Sequence, residues 1–225
     1  MFFLKSHNIA QYEVILFDLD DTLYPRAAGV MDAIAERIML FMVQRVKIPP
    51  DDVMTQRFQY YQRYGTALRG LMEEHNINPR EFLDFVHDVR LADYLRPSPP
   101  LESMLQTIRL RKIIFTNADV PHSERVLDAL GVRHHFERII DIRAINYKSK
   151  PDPVAYQRAL SLLGVSGKQC IMVEDSPRNL LPAKDMGMTT ILVDGTSKSS
   201  AIDFVVPTVF HVGEVLANIL PREGA

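Results

Sequence analysis

Lys112-Ile113-Ile114-Phe115-Thr116-Asn117 opens the unit that decides the fold: a β-rich apolar run, a polar cluster, then a helical pattern (Val126, Leu127, Leu130) that stops at Gly131. The unit recurs twice. Ile139-Ile140 leads toward Lys150, then to Val154, Ala155, Ala159, Leu160 and Leu163, ending at Gly164. Cys170-Ile171-Met172-Val173 leads to Glu174-Asp175, then to Leu180, Leu181 and Ala183, ending at Gly187. A glycine just past a helix is the usual left-handed terminator. Asp152-Pro153 and Ser176-Pro177 read as an N-cap followed by proline at the first helical position. Continuous apolar strands alternating with helices predict a parallel sheet covered on both faces, hence an α/β fold. Val14-Ile15-Leu16-Phe17 and Thr190-Ile191-Leu192-Val193 are two further strands of the same kind, which makes at least five.

Between the first strand and the repeating unit the pattern is helical. Val30 to Val46 carries apolar residues on a 3.6 period, Pro49-Pro50 breaks it, and Asp51-Asp52 can cap a new start. A second helical stretch runs from Val53 towards Glu74, and Asn78-Pro79 opens a third with Phe82, Phe85 and Val86. Pro97, Pro99 and Pro100 punctuate the return to the sheet. The expected organisation is an α/β core of residues 1–24 and 101–225, interrupted after its first strand by a helical insertion of residues 25–100.

Composition narrows the function. With 26 Lys+Arg against 28 Asp+Glu the net charge is −2, and no Lys/Arg cluster forms the basic stripe that a nucleic acid polymer requires. The single cysteine, Cys170, excludes an internal disulfide and a CxxC zinc site. Met1-Phe2-Phe3-Leu4 stops at Lys5, too short for a signal segment. The longest apolar run, Ile38 to Val43, falls far short of the roughly 20 residues that span a bilayer. A cytoplasmic protein with no membrane partner is expected.

In open parallel sheets, sites form in the crevice outside the carboxyl ends of the strands. Asp18-Leu19-Asp20-Asp21-Thr22 ends the first strand, Thr116-Asn117 the second and Glu174-Asp175 the fourth, while the third segment reaches Lys150. Carboxylates gathered there repel one another unless a cation sits among them. A hard divalent ion held by one or two carboxylates and by substrate phosphate oxygens describes Mg²⁺. Lys150 complements a phosphate, and Thr116 and Asn117 join it as phosphate-holding groups. Asp18 fits a nucleophile at phosphorus. Asp20, two residues on and on the same side of an extended chain, fits the acid that protonates the leaving alkoxide and then accepts a proton from water.

Phe17-Asp18-Leu19-Asp20-Asp21-Thr22-Leu23-Tyr24 resembles the first motif of the haloacid dehalogenase-like phosphohydrolase superfamily. Thr116-Asn117, Lys150-Pro151-Asp152-Pro153 and Glu174-Asp175-Ser176-Pro177 resemble its second, third and fourth motifs, in order. The resemblance spans residue 13 to about 194. It implies a Rossmann-like parallel sheet with an inserted α-helical cap, and Mg²⁺ bound by Asp18, Asp20 through its backbone carbonyl, and Asp175, with Glu174 at the ion or in its water shell. Tyr61 to Leu71, and Thr116-Asn117-Ala118 followed by His122, resemble the pyrimidine 5′-nucleotidase branch. That implies nucleoside 5′-monophosphates as substrates, pyrimidine ones first. Tyr64, Arg69 and His122 are the residues expected to select them. Arg69 lies beside Gly65 and Gly70, where backbone can approach a ligand closely, and Tyr60, Tyr61 and Tyr64 offer a stacking face.

Blander and rival readings are weaker. Asp18, Asp20 and Asp21 alone could be turn residues, but not together with three further polar strand ends. A calcium loop fails because Leu23 stands where glycine is needed, and a zinc deaminase fails for want of cysteines. Dehalogenases of the superfamily lack the second acid, so Asp20 speaks against that reaction. Another small phosphorylated metabolite, sugar phosphomutation and a catalytically silent ligand sensor remain as alternatives.

Overall fold

The computed structural model describes residues 12–195 and 199–220; the apolar Met1 to Leu4 stretch lies outside them. Six strands form one parallel sheet: β1 (Val14–Phe17), β2 (Arg111–Phe115), β3 (Arg138–Ile140), β4 (Cys170–Glu174), β5 (Thr189–Val193) and β6 (Phe204–Val206), in the order β3-β2-β1-β4-β5-β6. β6 went unread because three residues carry no periodicity. The strand order reverses between β1 and β4, and such a switch point leaves a crevice at the carboxyl ends. All four residues of β1 are buried. Its alternate side chains enter separate cores: Ile15 and Phe17 on one face, Val14 and Leu16 on the other.

Between β1 and β2 lie α1 (Val30–Phe41), which continues as a π-helical turn through Val46, then α2 (Val53–Tyr64), α3 (Ala67–His75), α4 (Pro79–Val86) and α5 (Pro99–Thr107). Helices α1 to α4 all fall within residues 25–100. α6 (Val120–Leu130), α7 (Pro153–Leu163), α8 (Pro177–Asp185) and α9 (Val212–Ile219) complete the layers. None of the described helices is long and apolar enough to cross a membrane.

Three local expectations need correction. The stretch from Val53 towards Glu74 is two helices. Gly65, at φ +89°, ends α2, and the Thr66 hydroxyl accepts from Arg69 N to start α3. A glycine stop followed by a threonine cap was the sequence signal. Asp52 sits at the start of α2 with helical backbone and no side-chain cap, since capping needs an extended backbone at that position. Ser176 makes no side-chain cap either; its N–H donates to Glu174 Oε1 instead. Asp152 does cap α7, accepting from Val154 N.

The fold-back of α3 on α2 depends on Gly70. A Cβ there would lie 2.4 Å from Tyr60 Cγ and 2.6 Å from Tyr60 Cβ, the root of a buried side chain that cannot swing aside. Helix propensity favours alanine by about 1 kcal/mol, but overpacking costs about 1–3 kcal/mol, and this contact lies far inside van der Waals distance. Gly70→Ala is therefore expected to lower stability by about 1 kcal/mol or more in urea unfolding; a neutral or stabilised variant would show that the two helices separate freely.

Candidate active site

The register of the sheet assembles the centre. Phe17 pairs with Ile114 on one side and Val173 on the other, and Asp18 N donates to Val173 O at 2.9 Å. Asp18 and Glu174 thus emerge side by side from neighbouring strand ends. Lys150 lies between them, 1% exposed. Its ammonium donates to Asp18 Oδ1 at 2.6 Å, Glu174 Oε2 at 2.7 Å and Phe115 O at 2.9 Å, which uses all three of its protons. The Asn117 amide clamps the lysine main chain, accepting from Lys150 N at 2.8 Å and donating to Lys150 O at 3.1 Å. The Lys150–Pro151 peptide is cis.

Thr22 Oγ1 lies 3.1 Å from Asp18 Oδ2 and 3.3 Å from Asp175 Oδ1. Thr116 is buried, with its hydroxyl accepting from Ala118 N. Asp20 Oδ1 accepts from Tyr24 Oη at 2.6 Å and pairs with His122 Nε2 at 2.9 Å. The His122 ring stacks on that of His87, centroids 4.3 Å apart, and His87 Nδ1 pairs with Asp119, which Arg143 also holds.

These surroundings push the carboxyls apart. Burial raises Asp18 to about 7, the charge of Glu174 adds to the rise, and Lys150 only partly offsets both. Burial likewise raises Glu174 to about 7 against the pull of Lys150. Asp21, at φ +60°, rises to about 6 through burial and the charge of Asp20, and its Oδ1 is buried without a partner. Burial also raises Asp175. Asp20 goes the other way: burial opposes its ionisation, but His122 and Tyr24 outweigh it and hold the carboxyl below the usual range. Lys150 is likewise pushed down by burial, yet its two carboxylates outweigh that and raise it above its ordinary value.

A cavity of about 260 Å³ contains Asp18, Asp20, Asp21, Thr116, Asn117, Lys150, Glu174 and Asp175 among its lining. Of the residues expected to select the substrate, none lines it. Tyr64 and Arg69 line a neighbouring cavity, with Tyr64 Oη donating to Glu74 and Arg69 paired with Glu73 and donating to Tyr147 O. His122 is fully buried against Asp20. Tyr60 belongs to the core and bonds His75, whereas Tyr61 does reach the cavity. His87, which no motif marks, lines the cavity as well.

The donor set fits a hard divalent cation. Ligand oxygens of Asp18, Glu174 and Asp175 lie within 4.8 Å of one another, carboxylate oxygens suit Mg²⁺, and one lysine cannot neutralise them together with the partnerless Asp21 oxygen.

The chain matches the haloacid dehalogenase-like hydrolases over residues 12–187 and belongs to that family. It is 26% identical over 198 residues to phosphate metabolism protein 8 of Saccharomyces cerevisiae, covering 80% of this chain and 61% of the yeast protein. It is 23% identical to a phosphoglycolate phosphatase of Neisseria gonorrhoeae, over 90% of this chain and 94% of that one. Among solved structures, L-2-haloacid dehalogenase of Xanthobacter autotrophicus superposes with a TM-score of 0.63 at 16% identity, covering 93% of this chain and all (100%) of that one. A phosphatase of Thermococcus onnurineus gives 0.63 at 19% identity, over 91% and 97%. The structural likeness is one of fold.

The raised carboxyls fix the sign of a stability change. Asp18 and Glu174 favour their protonated forms in the fold, so their stabilising contribution is complete below their ordinary values of 3.8 and 4.5 and is lost as pH rises through about 7. Protein stripped of divalent ions is expected to melt progressively lower between pH 5 and pH 8, each kcal/mol lost lowering Tm by roughly 2–4 °C. Added Mg²⁺ should restore Tm at pH 8 and do little at pH 5; a pH-independent response to Mg²⁺ in calorimetry would contradict the arrangement.

Proposed function

We propose that the protein is a Mg²⁺-dependent phosphomonoesterase of small phosphorylated metabolites that works through an aspartyl-phosphate on Asp18. Within that class the preferred substrates are nucleoside 5′-monophosphates, pyrimidine ones first. The observation that carries the reading is the buried Lys150 ammonium fixing the Asp18 carboxylate at the floor of a cavity, with Asp20 held separately beside it. The relatives named as phosphatases support it, and the branch-like sequence of α2 and α3 supports the nucleotide preference. A cytoplasmic location belongs to the same reading and rests on the single cysteine.

Asp18 attacks phosphorus and the bond to the leaving oxygen breaks. Asp20 delivers the proton that this oxygen takes up. Water then attacks the phosphorus, loses a proton to Asp20, and the bond to Asp18 breaks, which returns the enzyme with inorganic phosphate. Both hydrogen bonds to Asp20 fall on Oδ1, which leaves Oδ2 to exchange the proton. An arriving phosphate dianion raises the pKa of a nearby carboxyl, so the ester itself favours the protonated Asp20 that the first step needs. Thr116 holds a phosphoryl oxygen, while Lys150, whose three protons go to Asp18, Glu174 and Phe115 O, acts on the phosphoryl group through its charge. Asp18, Asp175 and the Asp20 carbonyl would hold Mg²⁺, which when bound would neutralise phosphoryl charge and favour the ionised form of Asp18. Glu174 keeps the lysine in place. Helices α1 to α4 act as a cap that excludes water from the reacting atoms.

Release of a halide needs no proton donor, so a dehalogenase would give the doubly bonded Asp20 no task. Phosphate release from a panel of nucleotides and other monoesters, with and without Mg²⁺, tests the reading. Asp18→Asn is expected to abolish turnover, and Asp20→Asn to lower kcat about 10²–10⁴-fold. Full activity of Asp18→Asn would sink the mechanism, and no release across the whole panel would favour a silent sensor.

A further inference from the structure

The two ends of the cavity differ in chemistry. Its floor is polar, whereas the wall contributed by α1 and α4 consists of Met31, Ile34, Ile38, Phe82, Leu83 and Val86. Among the described residues that line the cavity, Lys150 is the only lysine or arginine. Its ammonium is already committed to Asp18, Glu174 and Phe115 O. Among the described lining residues, His87 is the only basic group that the insertion contributes, and burial pushes its imidazolium towards the neutral form. Asp21 adds a further acid to the lining, with the exposed Arg26 guanidinium 3.9 Å from it.

Cations do exist nearby, but not in this cavity. Arg63, Arg69 and Arg178 line the neighbouring one. They are engaged with Glu74, with Glu73 and Tyr147 O, and with Tyr61 O and Gln62 O respectively. Gly65 lines both cavities and packs so tightly on the 149–151 segment that a Cβ would meet Pro151 Cδ at 3.1 Å and Lys150 O at 3.2 Å. Gly65 and the 149–151 segment thus stand between the cavity at Asp18 and the three guanidinium groups.

Resting on the phosphomonoesterase reading, we infer that the enzyme selects esters whose leaving group is uncharged and offers an apolar or aromatic face, and rejects a short leaving group that carries a carboxylate. The wall formed by α1 and α4 is what discriminates. A carboxylate brought against it is stripped of water and gains no counter-charge. An aromatic ring in the same place buries apolar surface against Ile, Leu and Phe side chains. The preference is the opposite of what the name of the Neisseria relative, phosphoglycolate phosphatase, would suggest for this chain.

Three esters with alkoxide leaving groups separate charge from size: benzyl phosphate, phosphoglycolate and the uncharged amide analogue of phosphoglycolate. With Mg²⁺ present, kcat/KM for benzyl phosphate is expected to exceed that for phosphoglycolate by about 100-fold or more, with the amide in between. Met31, half-buried in the wall, gives the variant. Met31→Lys should narrow the gap between phosphoglycolate and its amide by about tenfold, and Met31→Gln, polar but uncharged, should not. Phosphoglycolate turnover equal to or above that of benzyl phosphate in the unmodified enzyme would overturn the inference, while leaving the phosphatase reading intact. Folded Met31→Lys with an unchanged gap would remove the discrimination from this wall. No phosphate release from any ester would overturn the phosphatase reading, and this inference with it.

Discussion

The Lys150 ammonium, bonded at once to Asp18, Glu174 and the Phe115 carbonyl, is the contact around which the rest of the centre is arranged. Taking an ammonium and two carboxylates out of water costs several kcal/mol per ion, and their attraction barely returns it. The cluster is therefore poor as a source of stability and good as a source of geometry. Every proton of the ammonium has one place to go, and each place lies at the end of a different strand. Asn117 completes the constraint by clamping the lysine main chain from both its N–H and its carbonyl. A lysine so held cannot follow a moving substrate, which suits a group that must meet charge where it develops rather than where it starts.

The same cluster separates the two aspartates that share one short turn. Burial drives Asp18 towards neutrality and the charge of Glu174 adds to it, while His122 and Tyr24 outweigh the same burial at Asp20 and hold it as an anion. Carboxyls two residues apart thereby acquire different resting states from their neighbours alone, the kind of division that lets one residue act as nucleophile and the other carry a proton. His87 and Asp119 stand behind His122. His87 follows α4 and Asp119 caps α6, so Asp20 is oriented by a chain of contacts that ties the insertion to the core.

Much of this was legible in the sequence because it is local. Apolar strands, glycine stops and the polar groups at strand ends each depend on a few adjacent residues, and parallel register then brings those ends together automatically. Asp18, Lys150 and Glu174 were found that way. What escaped depends on tertiary packing. His87 lies 35 residues from the histidine it stacks upon, in a segment whose pattern says only helix. The split at Gly65-Thr66 was readable in principle but was overridden by a helical period that persists across it. Tyr64 and Arg69 flank that split, at the end of α2 and in the first turn of α3, and both line the neighbouring cavity rather than the one at Asp18, a placement set by packing that no local pattern marks.

Chemistry and selection are consequently encoded in different ways. The groups proposed to react sit on strand ends whose positions the sheet fixes, so motif spacing brings them out. The opposing wall is assembled from α1 and α4, 48 residues apart between Ile34 and Phe82, and is apolar like any core. No pattern distinguishes a helix face that packs on a substrate from one that packs on protein, since both obey the same 3.6 period. On the proposed reading the wall does more than choose. An apolar leaving group pressed against it displaces water from the cavity, and the fixed charges at the floor act more strongly once that water is gone. Selection of the leaving group and strengthening of Lys150 and Asp20 then follow from one and the same burial.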